Sequence, residues 1–94
     1  MKINGLIWYE KIIEKLERKH NVSQYEVREV FTNGPMFRYV EKGLQPNENV
    51  YAGLGQTNGG RYIIIFFIYK TNKHALIMSA RDMTQSERKK YEQK

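Results

Sequence analysis

The chain has 94 residues, of which 16 are lysine or arginine and 10 are aspartate or glutamate, so its formal net charge is +6. A chain of this length can bury only one modest core, and we expect a single domain over residues 1–94. The absence of cysteine excludes disulfides and thiolate metal sites, and no apolar run reaches the ~18 residues of a membrane span. Acidic Glu10 soon follows the apolar start, which is untypical of a signal peptide, so we expect a cytoplasmic protein without a membrane partner.

The N-terminal part of the chain predicts an amphipathic helix over residues 10–19, preceded by a possible extra strand at residues 6–9. The apolar residues of this helix follow helical spacing, and charged residues occupy the other face. Asn21 should end the helix, because asparagine tolerates the left-handed backbone that follows many helices.

A second, shorter helix is predicted from its capping signal. Ser23 and Glu26 have the spacing of a capping box, in which the two side chains satisfy free backbone donors at a helix N-terminus. We expect this helix to run to about Phe31 and to stop at the sequence Asn33-Gly34-Pro35.

Beyond Pro35 the pattern changes from helical spacing to strands. Four strands are predicted, over residues 36–41, 50–56, 61–70 and 74–80, with an irregular loop at residues 42–49. The third strand is continuously apolar, which is typical of a central strand with both faces largely covered. Asn58-Gly59 and Thr71-Asn72-Lys73 predict hairpin turns, so the strands should form an antiparallel meander.

A final helix is predicted after the strands, because Thr84 and Glu87 form a further capping box. This helix is rich in lysine and arginine, and Tyr91 is its only ring, so we expect it to serve a partner rather than the core. The predicted fold is therefore α+β, with two N-terminal helices, a roughly four-stranded antiparallel sheet and a C-terminal helix.

Several ligand-binding and catalytic motifs are weak or missing. Gly53 and Gly55 lie in a predicted strand, and Gly59 and Gly60 lie just before the next one, whereas a phosphate-binding glycine loop needs a strand before it and a helix after it. The histidines and carboxylates do not stand at metal-ligand spacing, so we predict no metal site and no cofactor. No Ser-His-Asp arrangement is visible, and Ser79 is expected to be a strand-end hydroxyl.

Two arginines at one end of the predicted sheet are the strongest candidates for chemistry. If the turn at residues 71–73 has three residues, Ile63 falls opposite Arg81, and Arg61 is a diagonal neighbour on the same face, ~7–8 Å away. Two guanidiniums this close suit an anion such as phosphate. The basic charge of the chain is compatible with a nucleic-acid partner and equally with a soluble basic surface. The alternatives are solvated arginines or pairs with glutamate, and a one-residue slip would place the two on opposite faces.

His20 and Glu29 are the candidates for proton transfer. His20 ends the first helix, where the helix dipole favours a cation, and it is also the side chain best suited to acid or base work near neutral pH. Glu29 has no capping role, in contrast to Glu26 and Glu87, so it is the carboxylate whose presence is least explained.

Family motifs become visible over nearly the whole chain: Lys19-His20-Asn21-Val22-Ser23, Glu29-Val30-Phe31, Gly60-Arg61, and Ser79-Ala80-Arg81 followed by Thr84, Glu87-Arg88 and Tyr91. In order and spacing they resemble the BrnT family of toxins from bacterial toxin–antitoxin pairs. The resemblance implies a RelE-like fold and a ribonuclease that blocks translation. It also implies a DNA-binding antitoxin as partner, so that the toxin reaches DNA only through the antitoxin.

The polar positions that match the family motifs are His20, Glu29, Arg61, Ser79, Arg81, Glu87, Arg88 and Tyr91. From the residues and the resemblance together, we predict His20, Glu29, Arg61 and Arg81 as catalytic residues and Lys19, Arg88 and Tyr91 as RNA-binding residues. The arginines suit the charge of a phosphorane, and cleavage through the 2′-hydroxyl needs no metal. The chain departs from the family pattern at Tyr9, at Asn21 and at Leu76, which stands where many members carry another arginine.

Three functions remain open at this point. The leading hypothesis is a toxin ribonuclease that acts on RNA without a metal and is neutralised by its antitoxin. The alternative, favoured by Leu76, is a catalytically impaired module of the same fold that binds an antitoxin or RNA without cleavage. A duplex DNA binder acting by itself is less favoured, since the basic residues do not form the pattern of a recognition helix.

Overall fold

A computed structural model describes residues 1–93, which form a mixed sheet and three helices. In chain order the elements are β1 (Gly5–Ile7), α1 (Glu10–His20), α2 (Gln24–Thr32), β2 (Met36–Gln45), β3 (Glu48–Gln56), β4 (Tyr62–Tyr69), β5 (His74–Asp82) and α3 (Gln85–Glu92). The strand order is β1-β5-β4-β3-β2. None of the three described helices is long and apolar enough to cross a membrane.

The α+β class is confirmed, but the predicted sheet of about four antiparallel strands is wrong in detail. A fifth strand, β1, lies at the sheet edge and pairs with β5 in parallel, whereas all other neighbours are antiparallel. The possible strand predicted at residues 6–9 therefore exists, shifted to Gly5–Ile7. Three residues are too few to show a pattern in the sequence, and a parallel pairing joins segments far apart in the chain.

The N-terminal helices begin and end at the predicted signals. Asn21 follows α1 in the left-handed conformation with φ 52°, and its backbone N–H donates to the carbonyl of Leu16. Both halves of the capping box between Ser23 and Glu26 are present at the start of α2. The two helices cover one face of the sheet, which we call the helix face. Its core consists of Leu16, Val22, Val27, Val30, Ile63, Ile65, Phe67, Ala75, Ile77 and Ala80.

The opposite side of the sheet, which we call the α3 face, is much less covered. Its buried cluster contains only Ala52, Leu54 and Ile64, against which Met83 and Tyr91 pack. The prediction that β4 is central is confirmed by the strand order. The prediction that both its faces are largely covered holds on the helix face only, because every second residue of β4 on the α3 face beyond Ile64 is half-buried.

The segment predicted as an irregular loop, residues 42–49, is instead a long β-hairpin. β2 continues to Gln45 and β3 starts at Glu48, with Asn47 in the left-handed conformation at φ 63°. Gly43 lies so close to the carbonyl of Glu48 that a side chain would not fit. The glycine therefore permits two strands to approach, rather than marking a loop.

The other two hairpin turns are confirmed. At the turn after β3, positive φ falls on Gly60 at 88° and not on Asn58 or Gly59. At the turn after β4, the N–H of Lys70 donates to the carbonyl of His74 over 2.9 Å, which is the pairing that a three-residue turn predicts. Lys73 takes the left-handed conformation there, with φ 68°.

A β-bulge at Met78 overturns the predicted arrangement of the two arginines. Phe67 pairs with Ile77 and Phe66 pairs with Ser79, so Met78 is an extra residue and the register shifts by one beyond it. Arg81 consequently lies opposite Ile64 on the α3 face. The prediction that Arg61 and Arg81 share a face is wrong, because Arg61 reaches the helices on the other side.

Candidate functional site

Arg61 lies just before β4 and joins both N-terminal helices to the end of β5. Its Nε and Nη2 donate to the two carboxylate oxygens of Asp82 over 2.7 and 3.2 Å. Its Nη1 donates to the carboxylate of Glu26 and to the Asn21 carbonyl, at 3.1 and 2.6 Å, and its Nη2 donates to the His20 carbonyl at 3.0 Å. All five guanidinium N–H groups are thus engaged. We call these five residues the Arg61 clasp.

The Arg61 clasp follows from the way α1 ends. The last carbonyls of a helix lack partners within it, and Arg61 supplies donors to two carbonyls at that end. A hydrogen bond from Arg61 lowers the pKa of Asp82, and the charge of His20 contributes to the same shift. In turn, the hydrogen bonds that Arg61 donates to Asp82 and then to Glu26 raise the pKa of Arg61. Since two carboxylates and two backbone carbonyls accept from it, the guanidinium is held in one position by the clasp.

Arg81 occupies a different environment on the α3 face. Its Nη1 and Nη2 donate to the two carboxylate oxygens of Glu87 over 2.8 and 3.0 Å, and Nη1 also donates to the carbonyl of Asp82 over 3.1 Å. Its guanidinium carbon lies 5.5 Å from the ring centroid of Phe66. Within residues 1–93, Nε–H and one N–H of Nη2 have no hydrogen-bond partner.

Glu87 has two roles at the start of α3. Besides holding Arg81, its carboxylate accepts the backbone N–H of Thr84 over 2.8 Å, while Thr84 Oγ1 accepts the N–H of Glu87 over 3.1 Å. The predicted capping box is therefore confirmed. The hydrogen bond from Arg81, reinforced by that from Thr84, lowers the pKa of Glu87 to about 2. The carboxylate stays ionised at neutral pH and binds Arg81 as an anion.

Tyr62 anchors α3 to the sheet, a role that the sequence did not predict. The guanidinium carbon of Arg88 lies 3.9 Å from the Tyr62 ring centroid, and the Tyr91 ring meets Tyr62 edge-on at 6.0 Å. The Tyr62 hydroxyl donates to Glu92 over 2.9 Å. An aromatic residue at the first position of a strand gave no signal by itself; only the register shows that it faces α3.

An open cleft lies at the end of the sheet, between the Arg61 clasp and α3. This cleft has a volume of about 400 Å³ and is lined by Gly60, Arg61, Tyr62, Asp82, Met83 and Arg88. A second depression of about 900 Å³ along α3 shares Met83 and Arg88 with it. The cleft therefore brings Arg61 of the clasp and Arg88 of α3 to one opening that is large enough for a nucleotide.

Some of the other residues predicted for the site lie near the cleft and some do not. The backbone carbonyl of His20 accepts from Arg61, which lines the cleft, and the Tyr91 ring contacts the Tyr62 ring edge-on. Glu29 lies elsewhere, because its carboxylate accepts the N–H of Asn58 over 3.1 Å and holds the turn after β3. Lys19 is exposed on the last turn of α1. Among residues 1–93, no group of three or more histidine, aspartate or glutamate side chains is placed to hold a metal ion.

Comparisons with known proteins agree with this architecture. Among solved structures, the chain is similar to the crystal structure of the Brucella abortus ribonuclease toxin, BrnT, with a TM-score of 0.61 and 15% sequence identity. The match covers 89% of this chain and 100% of the other, and it shows a shared fold. A comparison with curated protein sequences gives no match. The sequence profile described as "Ribonuclease toxin, BrnT, of type II toxin-antitoxin system" matches residues 8–87. The chain therefore belongs to the BrnT family of ribonuclease toxins of type II toxin–antitoxin systems.

Proposed function

We propose that this chain is a metal-independent endoribonuclease toxin with a RelE-like fold, which blocks translation in the cytoplasm until a DNA-binding antitoxin neutralises it. Membership of the BrnT family supports the ribonuclease class. The observation that carries the chemistry is the position of Arg81, whose guanidinium lies at the start of α3 with two unused N–H donors. An arginine fixed by one carboxylate and still able to donate is suited to binding a phosphate.

In the proposed reaction the 2′-hydroxyl of RNA loses its proton and its oxygen attacks the adjacent phosphorus. The bond from phosphorus to the 5′-oxygen then breaks, and that oxygen takes a proton, which leaves a cyclic phosphate. We assign stabilisation of the phosphorane charge to Arg81, assisted by Arg88. His20, whose backbone carbonyl accepts from Arg61 of the cleft, is assigned to proton transfer.

The roles of the other predicted residues change in this proposal. Arg61 has no donor left for a phosphate, so we assign it the positioning of His20 and Asp82 rather than charge stabilisation. Glu29 holds the turn at Asn58, and we assign it a structural role. Lys19, Arg88 and Tyr91 stay predictions for RNA contact, because each is at least partly accessible to solvent.

Expression of the chain alone tests this function. We expect growth arrest accompanied by RNA decay, and we expect the purified chain to cleave RNA in the presence of EDTA. The products should end in a cyclic phosphate or its opened form. The matched control is the Arg81→Ala variant, which should neither arrest growth nor cleave. Loss of all cleavage on chelation, restored by magnesium, would exclude the 2′-hydroxyl mechanism.

A binding module without nuclease activity is the second candidate. Leu76 favours it, because this residue lies in the middle of β5 and is only 8% exposed, where many family members carry an arginine. The same expression experiment separates the two functions. Unaffected growth with intact RNA, together with tight binding of a partner protein, would favour the module over the enzyme.

A further inference from the structure

The α3 face carries a row of apolar side chains that α3 does not cover. Across the strands the register places Ile7 beside Leu76, Leu76 opposite Ile68, and Ile68 opposite Val50. Phe66 lies in the next row, opposite Ala52. α3 packs further along the sheet, at the row that contains Ile64 and Leu54. Four of these side chains, those of Ile7, Val50, Phe66 and Ile68, remain half-buried.

Two β-bulges each add one more apolar side chain to this face. In β5, both Ile77 and Ala80 point into the helix-face core, so the bulged Met78 and its neighbour Ser79 lie on the other side. In β2, Tyr39 pairs with Tyr51 and Glu41 pairs with Val50, which leaves Val40 as the extra residue beside Glu41. Met78 and Val40 are each 39% exposed. We call the surface formed by Ile7, Val40, Val50, Phe66, Ile68, Leu76 and Met78 the open sheet face.

The charges around the open sheet face are mostly positive. Arg38 lies opposite Ala52 at one border, Arg81 lies over Phe66 at another, and α3 adds further cations. The cationic side chains of this surround are Arg38, Lys70, Arg81, Arg88, Lys89 and Lys90, and its carboxylates are Glu41, Glu48, Glu87 and Glu92, of which Glu48 pairs with Lys70 over 2.7 Å. A partner for this surface therefore needs apolar side chains at its centre and acidic side chains at its margin.

We propose that the open sheet face is the docking surface for the antitoxin partner, which binds through an acidic amphipathic segment laid across Val50, Ile68 and Met78. The inference rests on the proposed function, since a type II toxin has an antitoxin partner. It goes beyond that function by assigning the surface on which the antitoxin binds and the acidic, amphipathic character of the segment that binds there. Covering Ile68 and Met78 removes apolar surface from water, which is the main favourable contribution to protein association.

RNA and a second copy of the chain fit this surface less well. The centre of the open sheet face contains aliphatic side chains and a methionine, whereas RNA is bound by cations and by stacking on accessible rings. A second copy would bring an equal net charge of +6 towards the first, and like charges oppose association. An acidic amphipathic segment supplies both the apolar side chains that the centre of the surface needs and the carboxylates that its cationic margin needs.

Docking on the open sheet face also explains how the antitoxin neutralises the toxin. The guanidinium of Arg81 lies 5.5 Å from the ring centroid of Phe66, so a segment that covers Phe66 reaches the proposed phosphate-binding arginine. The acidic margin of the segment can occupy the unused donors of Arg81. The antitoxin would then exclude RNA from Arg81 without a separate inhibitory site.

The binding experiment compares two exposed apolar residues, one on the open sheet face and one outside it. The full chain is co-expressed with the protein encoded by the adjacent open reading frame, and the complex is purified. We expect Met78→Glu to weaken binding by at least about tenfold, because it places an unpaired carboxylate in the apolar contact. The control is Leu44→Glu, which makes the same charge change at a fully exposed position of the β2–β3 hairpin and should change Kd by less than about twofold. Circular dichroism and thermal unfolding verify that both variants are folded.

Methionine oxidation supplies a second readout that does not depend on a variant. Met78 is 39% exposed and Met1 is 50% exposed, so dilute peroxide should oxidise both in the free chain. In the complex we expect the oxidation of Met78 to slow at least about fivefold, with Met1 as the internal control. Mass spectrometry of peptides reports each site separately.

Two results together would overturn the docking site and leave the proposed function standing. Met78→Glu would bind the partner as tightly as the parent does, and Met78 of the parent would be oxidised as fast in the complex as in the free chain. A dimer of the chain alone that Met78→Glu dissociates would also overturn it, as would protection of Met78 by an RNA oligonucleotide and not by the partner. If the adjacent gene product does not bind the parent chain and does not relieve growth arrest, the proposed neutralisation fails together with this inference.

Discussion

Arg61 and Arg81 lie at the same end of one sheet, yet their surroundings differ in kind. Arg61 faces the helices and donates to two carboxylates and two backbone carbonyls, which uses every N–H of its guanidinium. Arg81 faces α3 and, among residues 1–93, has one carboxylate partner, Glu87, and two N–H groups without a partner. The partners of an arginine, and not its place in a motif, therefore indicate whether it holds the fold or binds a ligand.

The carboxylates that pair with Arg61 and with Arg81 also differ, in the number of structural elements that they hold. Glu26 caps α2 and Asp82 ends β5, so a change in the Arg61 clasp would disturb two elements at once. Glu87 caps α3 only, and α3 has no buried residue. Disturbing Arg81 should therefore leave the main core intact, and this difference makes the two roles separable by experiment.

The largest expected effect is on RNA cleavage by Arg81→Ala. We expect the rate to fall by roughly 100- to 1,000-fold, the usual loss when one preorganised donor to a developing oxyanion is removed. The melting temperature should change little, since Arg81 is at the surface of the small α3 cluster. Arg81→Lys should restore only part of the rate, because the ammonium group lacks the planar two-point geometry with which a guanidinium binds a phosphate. Cleavage by the alanine variant at the parental rate would exclude the proposed role of Arg81.

The next largest effect is on the stability of Arg61→Ala. The change leaves Glu26 and Asp82 without their common partner and two carbonyls at the end of α1 without donors. We expect the free energy of unfolding to decrease by about 2–3 kcal/mol. Urea denaturation measures this loss, and Arg28→Ala, at an exposed arginine of α2, is the matched control with an expected change below about 0.5 kcal/mol. Equal stability of Arg61→Ala and the control would show that the clasp is not structural.

Lowering the pH should weaken the ion pair between Arg81 and Glu87 over a defined pH range. The pKa of Glu87 falls from its ordinary value of 4.5 to about 2 in the folded chain, so its stabilising contribution is complete above pH 4.5 and is lost as pH decreases towards 2. We expect a loss of about 1–2 kcal/mol across that range from this group, and Glu87→Gln should remove this part of the pH dependence. The pKa of Asp82 is lowered as well, so some acid sensitivity should persist in the variant. A pH profile unchanged by Glu87→Gln would contradict the strong Arg81–Glu87 pair.

The smallest effect concerns the dynamics of α3. A helix of eight residues that buries none of them is marginal by itself, even with a capping box and the Tyr62 contact. We expect amide hydrogen exchange in residues 86–92 to be much faster than in α1 of the free chain, and to slow when the antitoxin binds. Truncation after Asp82 should leave the helix face folded and weaken partner or RNA binding. Protection of α3 equal to that of α1 in the free chain, with unfolding on truncation, would make α3 part of the core.

Much of the fold was predictable because local signals and tertiary structure agree. Asn21 and the capping boxes at Ser23 and Thr84 fix the helix boundaries through backbone chemistry that depends on only a few adjacent residues. The apolar run of β4 likewise indicated its central position. The β2–β3 hairpin was missed because Gly43 and Pro46 are typical of loops, while the close backbone approach at Gly43 depends on the partner strand.

The candidate site was less predictable, since its geometry depends on one bulge. Nothing in the sequence around Met78 marks an extra residue, and without it Arg81 would lie on the other side of the sheet. His20, Arg61, Arg81 and Arg88 stay predictions as site residues. The predicted grouping of the two arginines is wrong, because a register error of one residue exchanges the two faces. Tyr62 is not predictable, because an aromatic residue at the first position of a strand gives no signal by itself.

The cleavage rate of Arg61→Ala tests the division between the two arginines most directly. It should be measured under single-turnover conditions with saturating RNA, at a low temperature where circular dichroism shows the variant to be folded, beside Arg81→Ala. Our account predicts that Arg61→Ala stays within about tenfold of the parent while Arg81→Ala loses at least about 100-fold. A folded Arg61→Ala that loses as much activity as Arg81→Ala would contradict it, because Arg61 would then take part in the chemistry rather than only in the fold.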